Sequence, residues 1–131
     1  ISRKDLKFVS KKKPSKKEIE SLLFAWLVVK HVKSNAVVLA SGTKTIAICG
    51  GQTSRVDAVR IAAKRAGKKA RGSVLASDGF FPFSDNVSEV AKAGISAIIE
   101  PGGSVKDSEI IAEADKRKIS LVFTGFRNFR H

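Results

Sequence analysis

The chain has 131 residues, 43% of them hydrophobic, and sets 25 Lys and Arg against 12 Asp and Glu, a formal net charge of +13 with a pI near 10.3. That is one domain's worth of sequence, with enough apolar material to bury a core without metals or disulfides, and its charge excludes an acidic solvating protein and favours an anionic partner. A single cysteine, Cys49, excludes an internal disulfide and any multi-cysteine zinc or iron–sulfur site, and suits a reducing, cytoplasmic setting.

No apolar run approaches the ~20 residues that a membrane helix needs, and no signal-peptide pattern opens the chain. It begins at Ile1 and contains no methionine, as expected of a processed product or a piece of a longer polypeptide. Residues 1–14 form a basic opening segment with Arg3, Lys4, Lys7, Lys11, Lys12 and Lys13. It reads either as a flexible arm or, through Leu6, Phe8 and Val9, as a short strand. Ser15-Lys16-Lys17-Glu18 has the pattern of a capping box. Behind it Ile19, Leu22, Leu23, Trp26 and Leu27 step at helical spacing, and Phe24, Val28 and Val29 widen the apolar face. A helix so thickly apolar is expected to pack on more than one side.

The period then changes. Residues 36–40 and 45–49 are continuous β-type runs joined by Ser41-Gly42-Thr43-Lys44, an adjacent strand pair expected to be fully buried. After Gly50-Gly51-Gln52-Thr53, Ser54 caps a helix to about Ala66, with Gly67 as its stop. Residues 73–77 form a strand, followed by the unusual stretch Asp78-Gly79-Phe80-Phe81-Pro82-Phe83. Ser84 or Asp85 caps a helix ended by Gly94; 95–99 is a strand, 101–104 a loop, 105–116 a helix and 119–124 the last strand. This alternation predicts an α/β fold: a single domain over residues 1–131 with a three-layer α/β/α mixed sheet, helices on both faces.

In open α/β sheets, ligands collect outside the carboxyl ends of the strands. Three strand-to-helix loops qualify: 50–55, 78–86 and 101–104. Each is rich in small or capping residues, so amides at a helix start can face phosphate or carboxylate. Such turns also favour Gly and Ser for purely structural reasons. The phenylalanines at 80, 81 and 83 either plug the core beneath the turn or form a slot for a planar ring, with Asp85 and Asn86 at its edge.

Five stretches, Val32-Lys33-Ser34-Asn35-Ala36, Gly51-Gln52-Thr53-Ser54-Arg55, Ser77 through Asn86, Pro101-Gly102-Gly103-Ser104 and Arg127-Asn128-Phe129-Arg130-His131, occur in the order of a known family. Together they resemble the C-terminal part of the transformylase region of the bifunctional purine-biosynthesis family, aminoimidazole carboxamide ribonucleotide (AICAR) formyltransferase with inosine monophosphate (IMP) cyclohydrolase. The resemblance implies formyl transfer from the co-substrate 10-formyltetrahydrofolate to AICAR, a cytidine-deaminase-like fold, and active sites formed across a homodimer with the remainder of the transformylase polypeptide. Carried over by motif, Asn35, Arg55, Phe80 and Arg127 would contact the nucleotide, while Pro82, Phe83, Asp85, Asn86 and Ser104 would face the folate. Cyclohydrolase activity would require the full-length protein. The family's catalytic Lys-His pair belongs to the other half of the transformylase region. Lys30-His31 occupies the equivalent place in this half and reads as a look-alike with a packing or capping role rather than a general base.

Other readings are weaker. The ligands of a zinc deaminase, paired cysteines with His-x-Glu, are missing, and no metal is expected. Cys49 reads as a small buried strand residue. Asp107, Glu109, Glu113 and Asp115 before Lys116-Arg117-Lys118 suit an exposed helix with favourable dipole ends. The cluster Arg60, Lys64, Arg65, Lys68, Lys69 and Arg71 reads as a solvated or substrate-gathering basic face. It also supports the alternative function, a non-catalytic nucleic-acid-binding module, though no recognised module pattern accompanies it.

Overall fold

Residues 1–126 are described by a computed structural model. A 3-10 turn (Arg3–Asp5) leads into β1 (Lys7–Phe8), and α1 (Lys16–Val29) follows. The chain then forms β2 (Val37–Ser41), β3 (Lys44–Cys49), α2 (Arg55–Ala66), a 3-10 turn (Gly67–Ala70) and β4 (Val74–Ser77). It continues through α3 (Asp85–Lys92), β5 (Ala97–Glu100), α4 (Asp107–Arg117) and β6 (Ser120–Phe123). The strands share one sheet in the order β1-β6-β5-β4-β2-β3. β4, β5 and β6 run parallel, and β2 is antiparallel to both β3 and β4. The carboxyl ends of β3, β4, β5 and β6 therefore lie at one end of the sheet, where β2 begins.

Alternate residues of the central strands feed two cores. Leu39, Leu75, Ile98 and Leu121 pack with α2, α3 and α4 on one face, whereas Val38, Val74, Ala76, Ile99 and Val122 pack with α1 on the other. The α/β class and mixed sheet with helices on both faces are thus as expected. The capping box is present: Ser15 Oγ accepts from Glu18 N at 3.1 Å, and the Glu18 carboxylate accepts from Ser15 N at 2.8 Å.

Two burial expectations are corrected. α1 buries Ile19, Leu22, Ala25, Trp26 and Val29 along one side, but Leu27 remains 49% exposed and Leu23, Phe24 and Val28 half-buried. Among the described residues α1 lies alone on its face of the sheet, so only its inner stripe is covered. β3 is likewise half-exposed rather than buried. It is the sheet's edge: α2 packs against it, whereas α1 lies over β2, β4 and β5, which leaves Ile48 in contact with solvent.

The open question at the N-terminus resolves as a strand. β1 pairs antiparallel with β6, Leu6 is buried, and Ser10 Oγ accepts from Leu121 N at 2.7 Å. α4 starts at Asp107, two residues later than expected, because the Asp107 carboxylate folds back to accept from Gly103 N (2.8 Å) and Ser104 N (3.1 Å). Cys49 is buried in the core, as expected.

Candidate functional site

The site end of the sheet is built by backbone that crosses itself closely. Residues 30–36 descend from α1 to β2 beside the β3–α2 loop, joined by Gly51 N donating to Lys33 O (2.7 Å) and Asn35 N to Gln52 O (3.1 Å). Gly50 makes this approach possible: a Cβ there would run into Val32 Cγ1 and stand 2.9 Å from the Lys33 carbonyl oxygen. Because one obstacle is backbone, Gly50→Ala is expected to lose about 1–3 kcal/mol. Urea unfolding measures this, and an unshifted midpoint would mean that the linker yields freely.

Arg55, the first residue of α2, points back under this crossing. Its guanidinium pairs with the Asp78 carboxylate, donates to Ser77 Oγ (3.2 Å) and reaches Asn35 Oδ1 (2.9 Å). Asp78 is wholly buried after β4 and also accepts from Ser34 Oγ (2.5 Å) and Ala36 N (3.1 Å). The Arg55 side chain is only 8% exposed, so much of its donor capacity is committed to the protein, and the ion pair locks α2, β4 and the start of β2 together.

The aromatic stretch divides. Phe81 is fully buried in the core, Phe80 is half-buried, and Phe83 is 60% exposed. The core-plug reading therefore holds for Phe81, while the other two rings line open space. Around the outer rings lies an open cavity of about 430 Å³, lined by Asn35, Arg55, Phe80, Pro82, Phe83, Asp85 and Asn86 together with 53, 54 and 56. Asn86 is buried and donates from Nδ2 to Phe83 O and Asp85 Oδ1, both at 3.1 Å, while its Oδ1 has no partner among the described residues.

Three predicted residues lie elsewhere. Ser104 is in the adjoining β5–α4 loop, outside this lining, and its Oγ accepts from Lys106 N at 3.0 Å. Lys30 and His31 are exposed at the end of α1 and do not line the cavity. Arg127 falls outside the described residues. The basic cluster occupies the second half of α2 and the turn after it and does not line the cavity. Within it Arg60 is paired with Glu89 (3.3 Å), and Arg65 donates to Ile48 O (2.6 Å). Among the described residues no group of three or more His, Cys, Asp or Glu could hold a metal ion, and no helix is long and apolar enough to cross a membrane.

Sequence reasoning missed two carboxylates. Asp78 figures there only as the border of the aromatic stretch, and Glu100 not at all. Glu100 ends β5 fully buried. Its Oε2 accepts from Phe81 N (3.0 Å) and its Oε1 from Gly102 N (2.7 Å). Burial raises its carboxyl from the ordinary 4.5 to about 7; the two amide donors and Arg55 oppose the rise, and Asp107 adds to it. The available signal was an acid closing an otherwise apolar strand, as in Ala-Ile-Ile-Glu and Val-Leu-Ala-Ser-Asp.

A solved structure, Acinetobacter baumannii RibD, form 2, superposes with a TM-score of 0.51 over 76% of this chain and 32% of its own, at 10% identity. At that identity the likeness is one of fold alone. A family model described as AICARFT/IMPCHase bienzyme matches residues 1–65. The bifunctional purine biosynthesis protein PurH of Anaeromyxobacter dehalogenans (strain 2CP-C) is 55% identical over all 131 residues, and that of Sorangium cellulosum (strain So ce56) is 59% identical over 123. The chain spans about a quarter of the length of these curated relatives, 25% of the first and 24% of the second. Similar to such proteins from its first residue to its last, the chain belongs to the AICARFT/IMPCHase bienzyme family.

Proposed function

We propose that this chain supplies one wall of a formyl-transfer site, where AICAR receives the formyl group of 10-formyltetrahydrofolate in purine biosynthesis. The observation that carries the reading is convergence: Asn35, Arg55 and Phe80, assigned to the nucleotide by resemblance, share one cavity with Pro82, Phe83, Asp85 and Asn86, assigned to the folate. Both ligands carry planar ring systems, which suit Phe80 and Phe83. The nucleotide is a phosphate monoester, which suits an arginine oriented by fixed acceptors. The unpartnered Asn86 Oδ1 is an acceptor that a ligand N–H would satisfy.

The chain's own part is binding and orientation. The attacking amine is conjugated into an imidazole and weakly nucleophilic, so the reaction needs a base for its proton and donors for the oxygen that becomes anionic. Among the described residues the cavity offers Asp85 as its only carboxylate, and Lys30-His31 stand outside it. The base therefore comes from the remainder of the transformylase polypeptide, across a homodimer, with the cytidine-deaminase-like fold proposed for this half. Cyclohydrolase activity belongs to the larger protein.

Asp85→Ala is the direct test, because Asp85 is exposed and its removal leaves the core untouched. Formyl transfer in the intact polypeptide is expected to fall about tenfold or more while the unfolding midpoint stays in place. Unchanged turnover would count against the assignment.

A further inference from the structure

The deepest feature beside the cavity is not in its lining. Glu100 sits under the floor, its carboxylate bridging two loops that leave different strands. One oxygen accepts the amide of Phe81, the residue between Phe80 and Pro82 in the cavity wall; the other accepts the amide of Gly102 in the β5–α4 loop. Phe81 itself is anchored in the core, so its backbone is pinned from both sides, by ring and by amide. Gly102 is pressed against β6, where a Cβ would meet the Phe123 ring at 2.8 Å. A carboxylate in this position has two acceptors and no rotational freedom to spare, and removing it leaves the buried Phe81 N–H and the half-buried Gly102 N–H without their acceptor.

We propose that Glu100 is a positioning residue for the ligand cavity: by clamping Phe81 N and Gly102 N at once, it sets the height of the Phe80–Pro82–Phe83 wall on which planar substrates stack. The proposal deepens the formyl-transfer reading and rests on it for the identity of the ligands. The geometry of the clamp is independent of that reading.

The charge state of the clamp matters because a neutral acid has one good acceptor oxygen where the carboxylate has two. Burial holds Glu100 neutral to about pH 7. The charged groups that act on it are Asp107 at the start of α4 and Arg55 at the start of α2, the latter already paired with Asp78; β6 is uncharged along its length. Grip on the aromatic wall therefore strengthens as pH rises through neutrality.

The test compares Glu100→Gln and Glu100→Ala with the unaltered protein in the intact polypeptide. KM for AICAR and for 10-formyltetrahydrofolate is measured between pH 5.5 and 8.5, with hydrogen exchange of segments 79–84 and 101–104. In Glu100→Ala, KM for both substrates is expected to rise about tenfold with kcat changed less than about threefold, and exchange in both segments to quicken about tenfold or more. Glu100→Gln mimics the neutral acid, so its KM should match the unaltered protein near pH 5.5 and diverge by about fivefold or more above pH 8. A purely structural residue would move affinity and stability together, whereas Glu100→Gln is expected to weaken binding above neutrality while stabilising the fold. If Glu100→Ala fails to fold, Glu100→Gln carries the same comparison. Unchanged KM across the pH range overturns the proposal, as does faster exchange without any change in KM. If the unaltered polypeptide transfers no formyl group, the functional reading falls. The clamp is then judged by exchange alone, and unaltered exchange at 79–84 and 101–104 overturns it.

Discussion

Arg55→Ala is expected to cost the fold about 3–5 kcal/mol, among the largest effects of any single substitution at this end of the sheet. The reason lies in which partner is left behind. Asp78 is wholly enclosed, with its side chain at 0% exposure against 8% for Arg55. Without the guanidinium, Asp78 keeps the donors Ser34 Oγ and Ala36 N but stays a buried charge with no counter-ion. Asp78→Ala should cost less, since the stranded arginine lines the cavity and its long side chain can swing its charge to water there. Replacing both by apolar residues, Arg55→Met with Asp78→Leu, should recover most of the stability and none of the nucleotide affinity. Urea unfolding of the two single variants and the double variant measures all three. A loss below about 1 kcal/mol for Arg55→Ala would show that the pair does not hold the three segments together.

Glu100 should leave a mark on the pH dependence of stability. Its native carboxyl titrates near 7 rather than 4.5, so between those values the folded chain holds a proton that the unfolded chain has released. Stability from this group is therefore complete below about pH 4.5, declines as pH rises and levels off above about 7. The drop is about 3 kcal/mol, since every tenfold difference in proton affinity between the folded and unfolded chain is worth about 1.4 kcal/mol. Glu100→Gln removes the titration. It should unfold like the unaltered protein in acid and outlast it at pH 8 by about the same 3 kcal/mol, because the opposing pull of the two amides is already contained in the raised titration. Parallel stability curves for the two proteins from pH 4 to 8 would falsify the assignment. The gain in stability, set against the expected loss of grip on the aromatic wall, is the pattern of a site that gives up stability for function.

Local chemistry carried much of what the residues alone disclosed. The capping box at Ser15 and Glu18 needs only four residues, and the helix stop at Gly67 and the strand-to-helix alternation are equally short-range. The candidate-site motifs were legible as motifs, and Asn35, Arg55, Phe80, Pro82, Phe83, Asp85 and Asn86 share a cavity because β3 and β4 end, and β2 begins, at one end of the sheet. Ser104 did not join them: its hydroxyl is held by the turn into α4 instead.

What escaped depends on order in space. An apolar run such as 45–49 is the same string of letters in the middle of a sheet or at its rim, and pairing β3 with β2 alone decided that Ile48 meets solvent. The outer stripe of α1 reads as buried until the sheet face is seen to hold, among the described residues, one helix. Asp78 and Glu100 look like ordinary acids beside a turn, because nothing local says that a guanidinium from α2 or an amide from a neighbouring loop will arrive to satisfy them. The amino-acid pattern determined the class of fold, the order of its elements and the chemical menu at the ends of its strands, since these follow from periodicity and capping within a few residues. The tertiary structure decided which faces are covered, which phenylalanine is core and which is wall, and which carboxylates are buried and paired, since burial and charge pairing are properties of residues brought together from far along the chain.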